Sequence, residues 1–296
     1  MAMSAQLIDG RKISEQIHAE TAARVTTLKA RGIEPCIVFI RVGEDPASQA
    51  YVGMKDKKAA ALGIRSKTHI FPENQSETDL LRFIEQLNTD ASVHGILVQA
   101  PLPKQISQTA VFSTVSPAKD VDGFHPVSMG KLLLGDSDGF RPCTPAGVQE
   151  LLIRSNLPPA GKKVVILGRG NIVGKPLAAI LCQKSKWANA TVTLAHSASP
   201  DIGAITREAD ILVAAMGVAE FVKGNMVKPG SVVVDVGVNR INDAGSPKGY
   251  KLVGDIAFQE VLQVAGHVTP NPGGVGPMTI AMLMANTVLA AEQQSR

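Results

Sequence analysis

The segment Lys163-Val164-Val165-Ile166-Leu167-Gly168-Arg169-Gly170-Asn171-Ile172-Val173-Gly174-Lys175-Pro176 constrains this chain more than any other. The aliphatics from Val164 to Leu167 favour a strand buried on both faces. The glycines permit a tight turn, and the apolar run from Ile172 to Leu181 continues as a helix. A strand, turn and helix in that order offer unpaired backbone N–H groups to an anion, and glycine lets a phosphate approach with no Cβ in the way. The spacing is G-x-G-x-x-x-G, with Val173 where the dinucleotide-binding pattern has its third glycine. On this motif alone, a plain turn in an α/β domain that binds nothing is an equally open reading.

The next predicted strand, Ala190 to Ala195, is followed by His196-Ser197. An NAD-binding chain carries there an acidic residue for the adenosine ribose, and a carboxylate would repel a 2′-phosphate. A hydroxyl at Ser197 and the guanidinium of Arg169 can instead hydrogen-bond that phosphate, which points to NADP. Taken by itself, Arg169 is as readily a solvated loop cation.

At 296 residues and 45% apolar content the chain can bury a large core, and two domains suit the length. A formal net charge of +4 without a lysine-arginine block, together with few aromatics, argues against nucleic acid and suits small anionic ligands. Cys36, Cys143 and Cys182 are too few and too scattered for a disulfide framework or a zinc site, so a reducing compartment is expected. Met1 to Gly10 lacks the apolar region of a signal peptide, and no apolar run is predicted to span a membrane, so a cytoplasmic location is expected.

In chain order, a helical pattern runs through Ile13, Ile17, Ala22 and Val25 to near Gly32. A buried strand follows over Cys36 to Val42, then a helix from Gln49 to Gly63 with Ser48 as its cap, a strand from Ser66 to Phe71, a helix from Glu77 to Asn88 and a strand from Gly95 to Gln99. This first layer is complete by about Phe140, and Pro142-Cys143-Thr144-Pro145 is punctuated like a domain junction. A helix to Arg154 leads into the glycine turn. Further strands are expected at Thr191 to Ala195, Ala209 to Ala215, Ser231 to Val236 and Gly266 to Thr269, and an apolar helix from Met278 to about Ala291 closes the chain. Strands alternating with helices imply parallel sheets with ligands beyond the strands' C-terminal ends.

Several residues could carry chemistry. Tyr51 and Lys55, four apart, share a helix face and set an ammonium beside a flat ring, although on spacing alone a snorkelling lysine in Lys55-Asp56-Lys57-Lys58 is preferred. Gln99 ends a strand where α/β proteins place ligand contacts, or it braces the stiff loop Ala100-Pro101-Leu102-Pro103. Lys119-Asp120-Val121-Asp122-Gly123 puts two carboxylates in one turn, where aspartates often serve their own backbone. No His-Glu metal spacing, Ser-His-Asp set or Gly-x-Ser-x-Gly elbow occurs, so neither a metal nor a nucleophilic serine is expected.

Together, Tyr51 to Lys55, Gly95 to Pro103, Lys119 to Gly123, Gly168 to Pro176, Val234 to Arg240 and Pro272 to Thr279 stand in an order that closely resembles the bifunctional methylenetetrahydrofolate dehydrogenase/cyclohydrolases over nearly the whole chain. The resemblance implies two α/β domains with a cleft between them. Residues 1–143, completed by a C-terminal helix over 277–296, would bind folate, and residues 144–276 would form a Rossmann-like doubly wound parallel sheet that binds NADP. It implies NADP-dependent oxidation of 5,10-methylenetetrahydrofolate to the methenyl compound and its hydrolysis to 10-formyltetrahydrofolate, in a homodimer. Lys55 would serve proton transfer, Gln99 would orient it, Tyr51 would stack on the aminobenzoyl ring and Asp122 would accept from the pterin. Val98, Ala100, Pro272, Gly273, Gly276 and Thr279 would line the folate site, while Gly168, Arg169, Gly170, Ser197 and Val238 would hold the cofactor. The family usually has serine where Gly170 stands and valine where Asn271 stands. Other readings are a shikimate-dehydrogenase-like NADP oxidoreductase, a dehydrogenase without cyclohydrolase activity and a catalytically silent nucleotide-binding regulator.

Overall fold

The computed structural model describes residues 4–243, 245–246 and 249–295, so residues 1–3 and Arg296 of the predicted domains lie outside the described residues. The chain opens with β1 (Gln6–Leu7) and α1 (Gly10–Ala30). It divides into two compact units, one of Met1–Ser14 with Thr144–Thr279 and the other of Glu15–Cys143 with Ile280–Arg296.

The second of these units is built on β2 (Cys36–Val42), α2 (Pro46–Ala61), β3 (Arg65–Phe71), α3 (Glu77–Thr89) and β4 (Gly95–Val98), with the short helices α4 (Gln108–Thr114) and α5 (Pro126–Leu134) after them. The sheet is parallel in the order β3-β2-β4. Every residue of central β2 is buried, as expected of a strand covered on both faces. Alternation divides its side chains: Ile37 and Phe39 pack with Val25, Leu28, Val52, Leu283 and Met284, while Val38 and Ile40 pack with Leu80, Ile84 and Ile96. Ser48 is not the cap of α2. Asp45 accepts from the Ser48 N–H at 2.7 Å, and Pro46 fills the first helical turn, where a missing N–H costs nothing. Ser76 caps α3 in the same way, accepting from the Asp79 N–H at 3.1 Å.

The other unit follows α6 (Cys143–Arg154) with β5 (Lys163–Leu167), α7 (Gly174–Leu181), β6 (Thr191–Ala195), α8 (Ile202–Arg207), β7 (Ile211–Ala214) and β8 (Val232–Asp235). The hairpin strands β9 (Asn239–Asn242) and β10 (Tyr250–Val253), then α9 (Phe258–Leu262), β11 (His267–Val268) and α10 (Val275–Gln294), complete the chain. Six strands form a parallel sheet in the order β1-β11-β8-β7-β5-β6. The order reverses at β5, the switch point at which doubly wound sheets bind ligands.

The fold corrects the sequence-based reading at two further points. Residues 1–14 belong with the glycine-turn unit rather than with residues 15–143, because Gln6 and Leu7 pair with His267 and Val268. α10 is 20 residues long with a mean hydropathy of 1.3, long and apolar enough to cross a membrane by length and composition, where no such run is predicted. Its Leu283, Met284, Val288, Ala290 and Ala291 are instead buried in a protein core.

Candidate active site

On α2, Ser48, Val52, Lys55 and Ala59 form the buried face, so helical periodicity carries Lys55 into the interior. Lys55 is 4% exposed; its Nζ donates to Gln99 Oε1 at 2.9 Å and sits 4.4 Å from the centre of the Tyr51 ring. The snorkelling alternative is therefore wrong. Gln99 follows β4, its N–H donates to the Ile40 carbonyl at 2.8 Å, and its Nε2 donates to the Ala100 carbonyl at 2.6 Å. With its amide fixed from that side, Gln99 presents only its oxygen to the ammonium. Val98 is buried at the end of β4, and Ala100 is half-buried after it.

The two carboxylates of the Lys119 to Gly123 turn have different work. Asp120 accepts from the N–H groups of Gly123, Phe124 and His125 and from Ser128 Oγ, at 2.8 to 3.1 Å, so it braces its own turn. Lys119 is also structural, donating to the Leu87 and Asp90 carbonyls at 2.8 and 2.7 Å. Asp122 faces the charge of Lys55, which with the Cys143 thiol favours its carboxylate, yet burial dominates and pushes its pKa up. Burial likewise pulls the Lys55 pKa down against the opposing fields of Asp122 and Cys143. Burial thus drives both partners toward their neutral forms.

The glycine turn lies in the other unit. Gly168 has φ +112°, and a Cβ there would stand 2.2 Å from the Ala215 carbonyl oxygen. Gly174 opens α7 with its Cα against Gly168, where a Cβ would fall 1.9 Å from the Gly168 oxygen. It therefore supplies the close packing that the dinucleotide-binding pattern assigns to its third glycine, one position later than Val173. The Gly168 N–H donates to the Ala195 carbonyl at 2.8 Å, which brings the turn to the end of β6, where Ser197 is exposed. Arg169 Nη1 lies 3.3 Å from His196 Nε2, and His196 Nδ1 accepts from the Ala198 N–H at 3.2 Å. That acceptor role assigns the ring proton to Nε2, so both side chains turn donors to the same place, and this donor set suits a phosphate. His196 is thus an addition to the residues named from sequence. Its place was legible as the residue before Ser197.

Val238 is 64% exposed in the loop after β8. The Asn271 amide donates to the Gly237 carbonyl beside it, which gives the polar residue at 271 a role in tying two loops together. Gly273 has φ +115° and accepts from the Arg11 N–H at 3.1 Å, and Thr279 Oγ1 lies 2.9 Å from Thr144 Oγ1. Pro272 precedes Gly273 in that loop, while Gly276 sits in the first turn of α10 with nothing within 4 Å of an added Cβ.

Comparison with known proteins covers nearly the whole chain. The model of the tetrahydrofolate dehydrogenase/cyclohydrolase catalytic domain matches residues 8–122, and that of the corresponding NAD(P)-binding domain matches residues 142–295. The chain belongs to the tetrahydrofolate dehydrogenase/cyclohydrolase family. Among tetrahydrofolate dehydrogenase/cyclohydrolases, the bifunctional protein FolD of Syntrophobacter fumaroxidans is 50% identical over 295 residues, covering 99% of each chain. The crystal structure of the bifunctional FolD enzyme of Campylobacter jejuni is similar with a TM-score of 0.92 at 44% identity, over 98% of this chain and 99% of that one. The Trypanosoma brucei FolD structure, solved with NADP and an inhibitor, gives 0.93 at 40% identity over 99% of each chain.

Proposed function

We propose that this chain oxidises 5,10-methylenetetrahydrofolate with NADP and hydrolyses the methenyl product to 10-formyltetrahydrofolate. The observation that carries the reading is the buried Lys55, held by Gln99, stacked by Tyr51 and facing Asp122, in a chain of this family. NADP, when bound, would supply the acceptor for the hydride of the oxidation step. Gly168, Arg169, Gly170, Ser197 and Val238 would hold it, with Arg169, His196 and Ser197 serving its 2′-phosphate. The bare Gly168 and the donor set at Arg169 and His196 fit such a group.

Tyr51 stacks on the aminobenzoyl ring and Asp122 accepts from the amino edge of the pterin. Val98, Ala100, Pro272, Gly273, Gly276 and Thr279 contact the folate as well. Lys55 exchanges the proton of the hydrolytic step: burial lowers its pKa, so the amine can take a proton from the attacking water, and the Gln99 oxygen keeps the nitrogen in place. Residues 15–143 with 280–296 form the folate-binding unit, and residues 1–14 with 144–279 the NADP-binding one. We place the enzyme in the cytoplasm as a homodimer that engages neither nucleic acid nor membranes. The test follows NADPH and methenyl absorbance together after adding methylenetetrahydrofolate and NADP. NADPH should rise and stay, while the methenyl signal rises with it and then decays as water is added; a methenyl product that accumulates one-to-one with NADPH without decay would refute the hydrolytic half.

A further inference from the structure

The loop that carries Asp122 is held from outside by a side chain far along the sequence. Asn286, on α10 and 7% exposed, donates through Nδ2 to the Val121 carbonyl at 2.8 Å and the Arg141 carbonyl at 3.1 Å, with Cys143 Sγ at 3.6 Å. Both carbonyls can only accept, so the amide orientation is fixed by chemistry. Cys143 joins the same clamp. Its thiol donates to the Val121 carbonyl at 3.3 Å, and its backbone N–H donates to the Asp122 carbonyl at 3.4 Å. Next to Asp122, Gly123 presses on the same segment, where a Cβ would come within 2.6 Å of Arg141 and Pro142 backbone atoms. The 121–123 backbone thus has no slack on this side.

We propose that Asn286, acting with Cys143, is a positioning residue that fixes where the Asp122 carboxylate stands relative to Lys55, and thereby sets folate affinity and the pH response of hydrolysis. This rests on the reading of Asp122 and Lys55 given above. The titratable groups facing one another here are Lys55, Asp122, Cys143 and, through the turn, Asp120. Burial and Asp122 keep the Cys143 thiol protonated, so it acts as a donor. A proton donor beside Asp122 favours its charged form, which in turn favours the Lys55 ammonium.

The experiment compares Asn286→Leu, Cys143→Ala, Cys143→Ser and Asp122→Asn with the wild-type enzyme. It measures KM for methylenetetrahydrofolate, KM for NADP, melting temperature and the pH profile of methenyl hydrolysis. Losing a buried donor should raise the folate KM of Asn286→Leu and Cys143→Ala about tenfold with the NADP KM unchanged. It should also move the limb governed by Lys55 to lower pH. Cys143→Ser, which keeps a donor, should stay within about twofold of wild type on the same scale. Should Asn286→Leu fail to fold, the Cys143 pair decides the matter. Equal losses for folate and NADP, or a lower melting temperature with folate KM and pH profile unmoved, would overturn the proposal. An Asp122→Asn enzyme with normal folate KM would remove the underlying reading and the proposal with it, whereas a crippled Asp122→Asn beside normal Asn286→Leu and Cys143→Ala would remove the proposal alone.

Discussion

Lys55 is a cation placed where helix periodicity puts an aliphatic residue, between Val52 and Ala59 on the buried face of α2. Its neighbours Lys57 and Lys58 lie off that face and are more exposed, so none can replace it. Lys55→Ala should therefore leave the fold intact and lower methenyl hydrolysis by about a hundredfold or more, the usual worth of a placed proton-transfer group. Normal hydrolysis by the purified variant would take Lys55 out of the mechanism. Arg169 is different, because it is exposed and its guanidinium lies beside His196. Arg169→Ala should raise the KM for NADP at least about tenfold more than the KM for NAD, the scale of one charge-assisted contact to phosphate. Equal rises for the two cofactors would show that the guanidinium does not reach the 2′-phosphate.

The glycine turn makes opposite predictions at two of its positions, and the backbone decides both. At Gly174 the incoming Cβ meets the Gly168 carbonyl oxygen at 1.9 Å, a backbone atom that cannot swing aside, so α7 must move away from β5. Gly174→Ala should cost about 1–3 kcal/mol or more of stability and most of the cofactor affinity, read by denaturant titration and NADP binding. At Gly170 an added Cβ meets nothing within 4 Å. Gly170→Ser should leave stability within about 0.5 kcal/mol and tighten NADP by adding a donor in the turn. A serine variant with weaker NADP binding would mean that the family's usual residue is unfavourable here. The α2 start teaches a related lesson, since Asp45 and Ser48 are both good caps in sequence and only Pro46, held in the first turn, selects the earlier one.

For the whole molecule, a buried pair of carboxylates sets a pH dependence. Asp255 accepts from the Met216 and Gly217 N–H groups at 2.7 and 2.9 Å and from Asn239 at 2.8 Å, while the Asp255 N–H donates to Asp235 at 2.8 Å. Burial and the nearby Asp255 raise Asp235 from 3.8 to about 7. Its folded pKa is the higher one, so the folded state holds the proton more tightly. The resulting stability is complete below pH 3.8 and is lost as pH climbs to about 7. Asp235→Asn keeps the shape and the accepting oxygen, so its unfolding midpoint should fall less than that of wild type between about pH 4 and pH 8. Parallel curves would show that Asp235 ionises in the fold as it does in the unfolded chain. By itself the sequence determined the alternating strands and helices, the parallel sheets and the phosphate-ready turn, because these follow from local periodicity and glycine spacing. It also held the pairing of Tyr51 with Lys55, which is one turn of helix. Only the tertiary structure decided that Lys55 is inside, that Asp120 braces its turn while Asp122 faces the lysine, and that Leu7 and Asn286 serve units or loops far from them in sequence. Burial, and bonds between residues distant in the chain, depend on which surfaces pack together, and no local pattern encodes that.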